Sequence, residues 1–203
     1  MVSLADWQRL FPDDDSIGAD LLARWSEPHR RYHTLDHLGF MLHVIDDHHD
    51  LADDVDAVRM AAWFHDAVYE PFAADNEERS AALASDVLPG LGVSADRVAE
   101  VVRLVRLTAG HAVADGDRNG ALLADADLAI LASPPADYAR YAAAVRAEYA
   151  AVPEEAFRSG RAQILGAFLA EPSLFRAVPG RAEWTARAHD NLRAEITTLL
   201  GAP

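Results

Sequence analysis

Thr34-Leu35-Asp36-His37-Leu38-Gly39-Phe40-Met41-Leu42-His43-Val44-Ile45-Asp46-Asp47-His48 decides the fold class. His37, Met41, Val44 and His48 recur at intervals of four, three and four, the spacing of one helical face, with no alternation that would suit a strand. Working outward, nearly every other segment repeats that period in Ala, Leu, Arg and Glu, all residues that cost little in a helix. Ser3 and Ser16 stand where N-caps belong, ahead of Leu4–Leu10 and Ile17–Trp25. Further helices are predicted from Asp54 to Tyr69, from Asp75 to Leu88 and from Ser94 to Thr108. Asp75 and Glu78 have capping-box spacing, and Pro89-Gly90 closes that helix. A polar loop from Gly110 to Asn119 precedes an apolar helix from Gly120 to Leu131. Pro135, Pro153 and Pro172 suit first turns, where a missing N–H costs nothing, and a last helix runs from Ala182 to Leu200. No repeat and no linker divides the 203 residues. The expectation is an all-α chain, a single compact helical bundle forming one domain over 1–203.

Composition narrows the function. A net charge of −15 and a pI of about 4.8 argue against a nucleic-acid polymer as partner, since phosphate neutralisation needs clustered positive charge. Every one of the 18 basic residues is arginine. Without cysteine there is no disulfide, no thiolate nucleophile and no cysteine-ligated metal. No run of about 18 apolar residues suggests a membrane span, and the N-terminus lacks the pattern of a secretory signal, so a cytoplasmic protein is expected. Exposed apolar helix faces could support a homodimer.

Three places interrupt apolar helix with ionisable groups. His33 and His37 are four apart, and His37 heads the inward stripe; taken alone it reads as a buried imidazole bonded to a backbone carbonyl. His65-Asp66 interrupts Ala61-Ala62-Trp63-Phe64, and a buried His-Asp must be paired or metal-bound, since an isolated buried carboxylate costs several kcal/mol. Neighbouring helical residues diverge by about 100°, so the two converge on one ion only where other helices close around them. Asp125 and Asp127 lie in the most apolar helix, two apart and therefore facing different ways. An arginine ion pair is the structural alternative there; a cation is the economical one. Two imidazoles with two carboxylates suit Mn, Fe, Co, Ni or Zn, with Mg less natural for imidazole.

The order His37 … His65-Asp66 … Asp127 resembles the H…HD…D signature of the HD-domain superfamily of metal-dependent phosphohydrolases. The stretches YHTLDHL (32–38), WFHDAVYE (63–70), DNEERSA (75–81) and LLADADLAIL (122–131) are similar to one bacterial branch of predicted HD phosphohydrolases. YARYAAAVRAEY (138–149) and GRAQIL (160–165) extend the likeness, which covers about residues 25 to 195. It implies the HD/phosphodiesterase-like helical fold, and a divalent metal ion held by His37, His65, Asp66 and Asp127. Ala126-Asp127-Leu128-Ala129 matches the family pattern at the last ligand better than Asp125, the alternate. The implied activity is hydrolysis of a small phosphorylated substrate, a nucleotide first among them, by a water that the ion activates. Asp66, Glu77 and His111 are then the catalytic candidates. His33, Arg31, Arg146 and Arg161 are the substrate-binding candidates, arginine being suited to bidentate phosphate contacts. Tyr69-Glu70 stands where stringent-response hydrolases of the superfamily carry acidic residues, so their substrate is not implied. A non-catalytic HD-type sensor, or a di-iron oxygenase on the same fold, are the other readings; the latter would need His33 and His111 as added ligands.

Overall fold

The computed structural model describes residues 2–201. It is all-helical: ten α-helices and three one-turn 3-10 segments, with no strand among the described residues. The helices are α1 (Leu4–Gln8), α2 (Ser16–Trp25), α3 (Leu35–Asp47), α4 (Val55–Phe64), α5 (Asn76–Val87), α6 (Ala95–Leu107), α7 (Arg118–Leu128), α8 (Pro135–Glu148), α9 (Glu154–Ala170) and α10 (Arg181–Leu200). Among the described residues, no helix is long and apolar enough to cross a membrane.

By its internal packing the chain divides into two compact units, Met1–Asp127 and Leu128–Pro203. The division falls inside the last turn of α7, where neither proline nor glycine marks it. In the first unit α4 packs against α3, α5 and α6, and α1 against α2. Its core is Trp7, Trp25, Leu38, Met41, Ile45, Trp63, Phe64, Leu88, Leu104 and Leu122, each essentially inaccessible. In the second unit α10 packs along α9 and against the 3-10 turn Ala129–Ala132. Leu131, Tyr138, Leu165, Phe175, Val178 and Leu192 fill that core.

Local signals explain most helix ends. Ser3 caps α1 in a capping box with Asp6, Thr34 caps α3 by accepting from the Asp36 N–H, and Ser94 caps α6 by accepting from the Arg97 N–H. Ser16 is not a cap but the first residue of α2. Asp14, two residues earlier, accepts from the Ile17 and Gly18 N–H groups and from the Trp7 indole, and a carboxylate outcompetes a hydroxyl at the positive end of a helix. The capping box expected of Asp75 and Glu78 is absent because Glu78 forms a two-pronged ion pair with Arg106. Pro135 is the first residue of α8, as expected, but Pro153 is the N-cap of α9 and Pro172 follows the end of that helix without starting another. Gly180, at φ 74°, supplies the left-handed entry to α10 instead.

Candidate metal centre

The segment predicted as one helix to Tyr69 stops at Phe64. The apolar run Val58, Met60, Ala61, Ala62, Trp63 and Phe64 drives the end of α4 into the core, and Trp25 anchors it by donating its indole N–H to the Trp63 carbonyl at 3.0 Å. His65 follows as the C-terminal cap residue and is 1 % exposed. Asp66 lies in the turn that follows, with its Oδ2 3.1 Å from His65 Nε2.

His65 Nδ1 lies 2.8 Å from the Ala62 carbonyl oxygen. A carbonyl only accepts, so Nδ1 carries a proton, and when the ring is neutral the lone pair is on Nε2. That Nε2 faces His37 Nε2 at 3.4 Å, Asp66 Oδ2 at 3.1 Å and Asp127 Oδ1 at 3.9 Å, while His37 Nε2 is 3.2 Å from the same Asp127 oxygen. His37 comes from the first turn of α3 and Asp127 from the last turn of α7. One ligand atom from each of His37, His65 and Asp127 lies within 4.8 Å of the other two, and the group could hold a metal ion. The chemistry of the donors fits such an ion. Three electron-rich atoms converge there, with Asp66 Oδ2 against one of them, and only a proton or a cation between them removes the repulsion.

The titration of these groups carries the same message. Burial works to lower the His65 pKa, but the charge and hydrogen bond of Asp66, with the charge of Asp127, raise it to about 9. A proton thereby does in the metal-free protein what a cation would do. Burial lowers His37 below its ordinary value, against its hydrogen bond to the Asp127 carboxylate. Burial would raise both carboxyls; the charges of His65 and His33 hold Asp66 far below the usual range, and hydrogen bonds from His111 and His37 do so for Asp127.

His33 stands at the edge, its Nε2 3.9 Å from Asp66 Oδ2 and its ring 4.2 Å from that of Tyr69. His111 reaches Asp127 Oδ2 with Nε2 at 2.8 Å. Asp125 is completely buried but outside the three-residue group. Glu77 is half-buried in the first turn of α5, also outside the group. Arg31 is exposed and donates to the carbonyls of Pro28 and Arg30. The other two arginines belong to the second unit, where they serve its own structure. Arg146 pairs with Glu154, donates to the Tyr149 and Val152 carbonyls and lies over Phe157. Arg161, buried, pairs with Glu195 and lies over Tyr141.

Arg30 is the residue that sequence reasoning missed. Its guanidinium is fully buried between Trp25 and Tyr69, 5.4 and 5.3 Å from the ring centres. Nη1 donates to the carbonyls of Asp66 and His33 at 2.8 and 3.2 Å, and Nε and Nη2 hold Glu27. One side chain thus ties together the two backbone segments that carry site residues. Asn76 and Ser80 fasten the stretch after Asp66, Asn76 to the Glu70 backbone in both directions and Ser80 to the Val68 N–H. Nothing in the local sequence separates Arg30 from its neighbour Arg31; only the closing of Trp25 and Tyr69 around it does.

No family model, curated protein or solved structure matches the chain. What fold and site define together is therefore an all-helical protein with a buried His–His–Asp group able to hold a metal ion. Asp66 lies beside that group, against His65.

Proposed function

We propose that the chain is a metal-dependent phosphohydrolase of the HD type, acting on a small phosphoester such as a nucleotide. The observation that carries this reading is the aim of His65 Nε2, a lone pair fixed by the Ala62 carbonyl and directed at His37, Asp66 and Asp127. The motif order His37 … His65-Asp66 … Asp127 supports assigning that set to hydrolysis. A divalent ion bound there would polarise a phosphoryl oxygen and lower the pKa of water. His37, His65 and Asp127 would hold it, with Asp66 completing the set. Water adds to phosphorus as the ester P–O bond breaks, and its proton ends on the departing oxygen. His33, partly exposed beside Asp66, would meet the incoming phosphoryl group. The net charge of −15 does not oppose an anionic substrate, because one cation and a few N–H donors set the local potential.

The test compares the purified protein with its His65→Ala/Asp66→Ala double variant, both checked for helicity by circular dichroism. The expected result is near-stoichiometric transition metal in the native protein and none in the folded variant. A panel of nucleotides and simple phosphoesters with Mn, Co, Ni, Zn and Mg should then show turnover that falls at least ~100-fold in the variant. Equal metal contents would refute the site. Metal without turnover across the panel would refute the hydrolase and favour a binding module.

A further inference from the structure

His111 sits in a backbone conformation that its sequence neighbourhood does not require. α6 ends at Leu107, and the chain closes with the Gly110 and His111 N–H groups both donating to the Leu107 carbonyl. A left-handed residue is usual after a helix, and glycine adopts it without a Cβ penalty. Glycine is available at position 110, where a Cβ would meet nothing within 4 Å, yet the positive φ falls one residue later. His111, at φ 50°, is the one non-glycine with positive φ among the described residues. The outcome is that its imidazole reaches Asp127 and bonds Oδ2 at 2.8 Å.

That bond divides the two oxygens of the carboxylate. Oδ2 is engaged by His111, while Oδ1 faces His37 Nε2 at 3.2 Å and His65 Nε2 at 3.9 Å. Resting on the reading that this group holds a metal, we propose that His111 is a positioning residue: it bonds Asp127 Oδ2 so that the carboxylate offers Oδ1 alone to the ion. Without that partner the carboxylate is free to rotate and present both oxygens. A two-oxygen contact suits larger, oxygen-preferring ions such as Ca²⁺, and serves ions that favour imidazole nitrogen less well. The left-handed backbone is retained at a non-glycine position because it carries the imidazole to that oxygen.

Two variants separate this role from a turn-forming one. His111→Gly removes the imidazole and relieves the backbone; His111→Gln removes the imidazole but keeps an N–H able to reach Oδ2. Chelator-stripped proteins are titrated with Mn²⁺ and with Ca²⁺ by calorimetry, and with Co²⁺ by visible absorption, and metal-free melting temperatures are recorded. The expected result for His111→Gly is a metal-free melting temperature close to the native one, the relieved backbone offsetting the lost bond to Asp127. Its Mn²⁺ affinity falls 10- to 100-fold, its Mn²⁺ preference over Ca²⁺ narrows and its Co²⁺ spectrum changes. His111→Gln should recover most of the affinity and the native spectrum. If His111→Gly binds Mn²⁺ and Co²⁺ as the native protein does, His111 is a turn residue only and the inference fails while the metal site stands. If His111→Gln is as impaired as His111→Gly, the imidazole acts as a ligand itself and the positioning role is overturned. If the native protein binds none of the three ions, this inference and the function proposed above fall together.

Discussion

His65 places the strongest constraint on how this protein responds to pH. Its folded pKa of about 9 stands above the ordinary 6.5, so protonation contributes stability that is complete below pH 6.5 and lost as pH rises through 9. The melting temperature of metal-free protein, measured against a His65→Gln variant, should therefore fall across that window. Metal binding reverses the sign, because an imidazole must lose its proton to coordinate. Mn²⁺ affinity should rise over the same interval by up to about tenfold per pH unit. Melts with and without saturating Mn²⁺ at pH 6.5, 7.5 and 8.5 check both slopes; parallel slopes would contradict the assignment of His65 as a ligand. Arg30 is tested the same way. Arg30→Met preserves bulk between Trp25 and Tyr69 but leaves the buried Asp66 and His33 carbonyls without their donor. A loss of about 2–4 kcal/mol by urea denaturation is expected, together with weaker metal binding. Arg30→Lys should rescue only part, since an ammonium lacks the planar fork that serves Glu27 and both carbonyls at once.

At the scale of elements, what matters is where helices stop and how closely they approach. α1 and α2 meet at Gly18, where a Cβ would lie 2.4 Å from Trp7 Cδ1 and 2.7 Å from Leu4 Cδ1. Gly18→Ala would improve helix propensity, but the fully buried Trp7 ring has no room to yield. Overpacking wins, and chemical denaturation should show a loss of about 1–3 kcal/mol; a gain would mean that α1 shifts freely. Asn119, at the start of α7, accepts from the Asp53 and Asp54 N–H groups and donates to Glu100. It ties α7, which carries Asp127, to the beginning of α4 and to α6. The helical stripe of His37, Met41 and Val44 was plain from periodicity, and the cap at Ser3 from its place just ahead of Leu4. Period alone could not find the end of α4, because Ala67-Val68-Tyr69 is as apolar as the helix before it. Nor could it choose between Ser16 and Asp14, since that choice turns on the Trp7 indole, seven residues away in sequence.

For the molecule as a whole, the candidate site belongs to the first of two units. His33, His37, His65, Asp66, His111 and Asp127 all fall within Met1–Asp127. In the second unit Tyr138 and Arg161 both bond the Glu195 carboxylate. Removing the cation from so buried a pair should cost about 3–5 kcal/mol. Arg161→Ala should therefore lower the melting temperature while leaving Mn²⁺ affinity in the first unit unchanged; an affinity change would link the arginine to the site. The amino-acid sequence by itself determined the all-α class, through an apolar period of three to four residues sustained along the chain. It also determined that His37, His65-Asp66 and the Asp125/Asp127 pair must be accounted for, because ionisable groups inside apolar helices demand partners. Tertiary structure alone decided which partners they are. It turned Asp127 rather than Asp125 toward the two imidazoles, committed Arg146 and Arg161 to ion pairs, brought His111 to Asp127 and buried Arg30 beneath the site. The reason is physical: helical period is a property of nearest turns, whereas convergence of donors depends on how helices far apart in sequence are oriented by the core they share.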